Sequence, residues 1–307
     1  YSNPTGKHTV SQDSETPVGF KYSMKWTSAG AYTPSSGNYF YTGQRIEGHN
    51  WDQMEYGTAN AKTITISFWA RSSITGTWSG IVKNNAQDRT YPWEYTISSA
   101  NTWEYKTVTV PGCTDGTWLS GTNAGAWIYF CIGSTTSGTT YLGSANSWQN
   151  TNLIGTTGSN SLVNTSGATL YITGVQVEVG SYATPFEHRS YGKQLEECQR
   201  YYQIMNEGPN KYVCNGGFFG ATTIVGFQPL RTTMRTTPSL WQTTGTSYYR
   251  FYEGGTNHGF NQINSTSAPS KYGAGIVVDE NVTGTNRAMG LFYCLNASAK
   301  LAMEAEL

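Results

Sequence analysis

Apolar and polar residues alternate along much of this chain. Residues 63–71 (TITISFWAR) place Ile64, Ile66, Phe68 and Ala70 on one side of an extended backbone, with Thr65, Ser67, Trp69 and Arg71 on the other. Residues 126–133 repeat the rhythm, setting Ile128, Phe130 and Ile132 against Trp127, Tyr129 and Cys131. Residues 104–110 and 169–179 fit the same template. Clusters rich in Gly, Asn, Ser and Thr at 75–76, 115–116, 134–138 and 155–160 punctuate the runs. Short strands interrupted this often predict an all-β antiparallel sandwich rather than a parallel α/β sheet.

One segment departs from the pattern. Residues 190–205 (SYGKQLEECQRYYQIM) carry Leu195, Cys198, Tyr202 and Met205 at spacings of three, four and three. That spacing predicts an apolar stripe on a helix of about four turns. Two roles fit it: packing on a sheet, or a short helix at a threefold seam between chains, since the spacing is also heptad-like. Strand-like runs resume at 220–227, 247–252, 275–279, 289–295 and 300–307. The expected organisation is a β-sandwich over 1–187, a short helical joint over 188–208, and a smaller C-terminal β domain over 209–307.

Composition narrows the function classes. Of 307 residues, 12% are charged and 14% aromatic, so the chain has the rings to build a core and lacks the charge density of a disordered one. The formal net charge is zero, which leaves no basic stripe to release counterions from a phosphate backbone, and nucleic acid is not an expected partner. No apolar run approaches the roughly 20 residues of a membrane helix, so membrane insertion is not expected. The chain opens at Tyr1 without a methionine, so either something is expected to have been removed or the N-terminal part of a longer chain, an attachment region, is missing. Five scattered cysteines with no CxxC pair predict free, mostly buried thiols made in a reducing cytosol, and no zinc site. The four histidines sit in no metalloprotease pattern, no nucleophile elbow or phosphate loop is present, and no acidic loop has a calcium-ligand rhythm. No cofactor and no metal are therefore expected.

Four stretches together resemble a known family: 44–48 (QRIEG), 63–71 (TITISFWAR), 101–110 (NTWEYKTVTV) followed by 116–118 (GTW), and 172–189 (ITGVQVEVGSYATPFEHR) running into 195–202 (LEECQRYY). They are similar to tail-fibre and related virion proteins of tailed bacteriophages. There, a jelly roll like that of carbohydrate-binding modules precedes this "TPFE…CQRYY" joint. The resemblance implies a homotrimer on an external appendage of the virion, in contact with other virion or tail proteins and with a host-surface polysaccharide or other glycan.

Aromatic side chains are the best candidates for such contact. A sugar ring presents polarised C–H groups to the negative face of an indole or phenol, and neighbouring polar groups fix its hydroxyls. Trp69 and Arg71, with Trp127 and Tyr129, fall opposite the aliphatic faces of their strands. Trp93 and Trp118 read as loop aromatics. Trp241, Tyr248, Tyr249 and His258 lie among Gly, Asn and Thr, a composition suited to exposed tip loops. Leu195, Cys198, Tyr202 and Met205 are the candidate oligomerisation residues. A strut-like virion protein with no glycan affinity is the first alternative. A polysaccharide depolymerase is the second, and it would need a carboxylate pair, for which Glu94 with Glu104 or Glu47 with Asp52 or Glu55 offer material.

Overall fold

A computed structural model describes residues 2–134, 141–279, 282–284 and 286–306. The predicted turn at 135–138 and the last apolar position, Leu307, lie outside the described residues. The chain forms two compact units, Tyr1–Glu187 and His188–Leu307.

The first unit contains β1 (Ser2–Asn3), β2 (His8–Asp13), β3 (Ser23–Ser28), β4 (Tyr39–Glu47), a one-turn helix α1 (Gly48–Trp51), β5 (Ile64–Ser72), β6 (Gly76–Lys83), β7 (Thr90–Ile97), β8 (Glu104–Val110), β9 (Ala124–Ser134), β10 (Leu142–Gly143), β11 (Gly155–Thr156) and β12 (Thr169–Val179). Its two main sheets run β1-β4-β9-β6-β7 and β2-β3-β12-β5-β8. The antiparallel pairs β6·β7, β5·β8, β4·β9 and β3·β12 are nested within one another and alternate between the sheets. This is one long hairpin rolled over on itself, a jelly roll. The predicted sandwich is present.

The inward faces obey the alternation. Ile64, Ile66, Phe68 and Ala70 are fully buried, and Phe68 meets Phe130 at 4.9 Å, Tyr95 at 5.0 Å and Trp93 at 5.8 Å between ring centroids. β6 and β7 gave no clear alternation because most of their residues are buried on both faces. Pro92 is tolerated because β7 is the last strand of its sheet, and its carbonyl oxygen accepts from Asn146 N at 2.8 Å.

The end of β12 holds the segment that follows it. Glu187 N donates to Gln176 Oε1 (2.8 Å), Thr184 N donates to Glu178 Oε2 (3.0 Å), and the Thr184 hydroxyl bonds Glu178 as well. Phe186 then packs edge-on against Phe20 at 5.1 Å. The outward side chains of the "VQVE" strand therefore capture the "TPFE" segment and fasten it to the sandwich.

The second unit begins with α2 (Tyr191–Gln199), followed by β13 (Tyr202–Glu207), β14 (Lys211–Phe218), β15 (Ile224–Pro229), β16 (Ser239–Gln242), β17 (Tyr249–Glu253), β18 (Thr256–Phe260), β19 (Ser265–Ser270), β20 (Gly273–Val278), β21 (Met289–Cys294) and β22 (Lys300–Glu304). These build a seven-stranded sheet, β18-β17-β21-β14-β15-β20-β19, and a three-stranded one, β13-β22-β16. The predicted four-turn helix is corrected here. It ends at Gln199, and Tyr202 and Met205 belong to a strand paired with β22. Ladder hydrogen bonds to the C-terminal strand outweigh the helical spacing, and buried Gln203 locks the register by donating to Thr232 O (2.6 Å) and accepting from Arg231 N (2.9 Å). No residue of α2 is buried, so Leu195 and Cys198 point outward while Met205 packs on the core.

All five cysteines are free, and only Cys198 is exposed. Burial pushes the Cys113, Cys131 and Cys294 thiols up to about 11 and Cys214 to about 12. Native protein is expected to consume one equivalent of a thiol reagent per chain, and Cys198→Ser protein none until denatured. Nine of the ten tryptophans, all but Trp241, lie in residues 1–187, so indole fluorescence reports the first unit. Urea unfolding followed that way should show Phe68→Ala destabilised by about 3–5 kcal/mol.

Candidate functional site

The face of the β1-β4-β9-β6-β7 sheet turned away from the core is assembled by strand register. Arg45 on β4, Trp127 on β9 and Lys83 on β6 stand opposite one another across three strands. The indole is thereby held between two cations, the Arg45 guanidinium 4.3 Å and Lys83 Nζ 4.7 Å from its centroid. One rung along, Gly43, Tyr129 and Ile81 align. A β-carbon on Gly43 would collide with the Ile128 carbonyl oxygen and the Tyr129 ring. With that space left clear, Tyr129 stacks on Tyr41 (4.5 Å, 24°) and Tyr41 on Tyr39 (5.6 Å, 29°). Tyr141 meets Tyr39 edge-on at 5.3 Å, and Trp127 adjoins Tyr129 at 5.7 Å. Five rings thus run without a break from Tyr141 to Trp127.

Exposure grades along this run. Tyr141, Tyr39, Tyr41 and Arg45 are half-buried, whereas Tyr129 is 1% and Trp127 6% exposed. Part of the cover is apolar packing of Leu142 and Ile154 on Cys131. Lys83 is also buried, with Nζ donating to Asn152 Oδ1 (2.8 Å) and Gln87 Oε1 (3.1 Å). No carboxylate pairs with it among the described residues. Burial, and then the neighbouring charge of Arg45, lower its pKa to about 8. Trp127 Nε1 is buried with no acceptor among the described residues.

Trp69 and Arg71 lie on the opposite outer face, that of the β2-β3-β12-β5-β8 sheet, so the four strand candidates do not share one platform. There, Tyr171 lies between Lys25 (5.2 Å) and Arg71 (5.0 Å), Trp69 adjoins Tyr105 (5.4 Å), and Trp103 meets Tyr171 at 6.0 Å. These cations are engaged: Lys25 pairs with Asp13 at 3.0 Å, and Arg71 Nε donates to the Asn101 carbonyl oxygen at 2.9 Å.

Other candidates move. Trp93 is a core residue of β7, fully buried rather than on a loop. Trp118 is half-buried in a cluster with Trp51 (6.2 Å), Tyr56 (4.8 Å) and Trp148 (5.8 Å), its Nε1 donating to Asp115 O at 3.2 Å. In the second unit Tyr249 is sealed in the core, its hydroxyl bonding Thr243 O (2.7 Å) and Lys300 O (2.9 Å). His258 is a half-buried strand residue, 5.2 Å from the Phe218 ring and 3.4 Å from Glu253. Neither is a tip-loop side chain. Trp241 is 38% exposed and Tyr248 half-buried.

Of the acids, Glu94 lies on β7 and Glu104 on β8, in different sheets. Burial raises the Glu104 pKa, but the Lys106 ion pair at 2.6 Å and the amides of Ser99 and Ser98 outweigh it and hold the carboxyl below its usual value. Asp52 accepts from Ser120 Oγ (2.8 Å) and Glu55 pairs with Lys62 (2.8 Å). Tyr39, Tyr41, Arg45 and Lys83 were missed from sequence. The period-two placing of Tyr39, Tyr41, Gly43 and Arg45 was the available signal. For Lys83 there was none, because a strand-end lysine reads as solvated.

No family model and no curated protein matches the chain. Solved structures resemble it in fold. An arabinose-bound MgGH51 α-L-arabinofuranosidase is 8% identical over 59% of this chain and 23% of its own, with TM-score 0.32. The enzymatically active domain of bacteriophage CBA120 tailspike protein 4 is 16% identical over 57% of this chain and 19% of its own, with TM-score 0.29. A CBM4 structure is 16% identical over 58% of this chain and 83% of its own, with TM-score 0.30. The chain spans less than a quarter of the first two. At such TM-scores these likenesses add nothing to the strand topology, which itself defines the jelly roll.

Lys83 gives a signed pH dependence. Its pKa falls from 10.5 in the unfolded chain to about 8 in the folded one. Between those values the unfolded chain holds a proton the folded chain has released, so the destabilisation is present in full below about pH 8 and is relieved as pH rises towards about 10.5. At pH 7 the buried charge costs roughly 3 kcal/mol. Lys83→Met is therefore expected to be more stable than wild type at pH 7, with the gap closing as pH rises from about 8 to about 10.5, as read from urea midpoints of both proteins at each pH.

Proposed function

We propose that the chain is a receptor-binding protein of the phage tail-fibre type, carried on an external appendage of the virion, that recognises host-surface glycan through aromatic surfaces of a homotrimer. The observation that carries the reading is the unbroken run of Tyr141, Tyr39, Tyr41, Tyr129 and Trp127 on an outer sheet face, flanked by hydrogen-bond donors. Stacked rings of this kind offer a sugar apolar C–H contact at low entropic cost, and Arg45 with the Gln87 and Asn152 amides supplies polar partners for its hydroxyls. The jelly roll agrees with the fold implied by the resemblance.

Trimerisation is supported by apolar surface on the second unit. Phe219, Phe227 and Met289 are 79%, 59% and 70% exposed around a shallow groove of about 530 Å³. A single sugar site is weak, and threefold presentation raises avidity by about 10²–10⁴.

The burial of Trp127 and Tyr129 favours the strut as a second reading, and one experiment separates the two. Purified protein should elute at three times 33.7 kDa and be retained on host cells or their extracted polysaccharide. Tyr41→Ala should reduce retention by about tenfold or more per site without lowering the mass. A monomer that no host surface retains defeats the proposal. A trimer that is not retained leaves the strut.

A further inference from the structure

We propose that the aromatic run takes an acidic glycan, one carrying a uronate carboxylate or a sulfate ester, with Lys83 and Arg45 recognising the anion; this rests on the glycan-binding reading above. Lys83 is 2% exposed, and among the described residues the hydrogen-bond acceptors of its ammonium are two neutral amide oxygens. An ammonium held away from water without a counter-charge is destabilising, and a second cation on the same indole ring adds repulsion.

The surrounding elements supply no compensating carboxylate to Lys83 among the described residues. Asp88 is occupied by Asn84 Nδ2 (2.7 Å) and lies 3.8 Å from Arg89. Glu94 stands opposite Ser79, about 13 Å along the strand from Lys83. The two amides capping Lys83 belong to half-buried side chains that reach solvent, Gln87 and Asn152, and a sugar carboxylate or sulfate could take their place. It would replace neutral hydrogen bonds with charge-assisted ones of roughly twice the strength. Trp127 Nε1, on a residue 6% exposed and with no acceptor among the described residues, is a further donor at the same rung. The opposite sheet presents the same cation–aromatic–cation motif around Tyr171, but there Asp13 already answers Lys25. The unanswered charge at Lys83 is what distinguishes this face as one built for an anion.

Calorimetric titration of the full chain tests this with four probes: an oligogalacturonide, its methyl ester, a sulfated carrageenan oligosaccharide and a neutral galacto-oligosaccharide. Binding of the uronate but not its ester identifies a carboxylate; binding of the carrageenan alone identifies a sulfate ester. In either case Lys83→Met and, separately, Arg45→Met should weaken binding by at least about tenfold, while Lys62→Met, an exposed lysine elsewhere, leaves it unchanged. Melting temperatures of both variants accompany the titrations, so loss of fold is not read as loss of binding. Acidic-sugar binding that neither folded variant weakens, or equal binding of the ester and neutral probes, overturns the proposal and leaves glycan recognition standing. Failure of all four probes overturns both.

Discussion

The two-residue period of β9 is the constraint on which the first unit depends. Ala126, Ile128, Phe130 and Ile132 enter the core beside Phe68 and Trp93, and the intervening side chains must emerge on the other face. A slip of one residue would exchange Phe130 for Tyr129 and bring the polar ends of the outer row into the core. The requirement that fills the sandwich therefore also fixes the outer row, and the pairing with β4 and β6 sets Trp127 between its two cations. Core and candidate site are opposite faces of one register.

The alternating strands were legible because each buries one face. Ile64, Ile66, Phe68 and Ala70 lie where the pattern puts them, as do the aliphatic positions of β9. β6 and the first half of β7 were not legible, since a stretch covered on both sides has no polar phase to reveal it. Trp93 was misplaced with them, because nothing marked its stretch as a strand. At Ser190–Met205 the spacing supported a helix, yet Tyr201, Tyr202 and Ile204 are strand formers, and a partner strand some hundred residues away decided between the two. Pairing over that distance leaves no local trace.

For the candidate site, sequence identified the ring types and, at Trp127 and Tyr129, the correct face. It did not show that Trp69 and Trp127 belong to different sheets, because alternation reports the face of a strand and not the sheet that strand joins. Nor could it show that Lys83 loses its water. That loss comes from Asn152 and Gln87 arriving from separate turns, and composition counts a lysine as solvated wherever it stands.

The capture of Thr184 and Glu187 by Glu178 and Gln176 separates two tasks within one sandwich. The side chains that fasten the segment after β12 stand on one sheet, and the Tyr39–Trp127 run stands on the other. Outward residues of β4 and β9 can therefore be exchanged without touching the contacts that hold Thr184 and Glu187 in place.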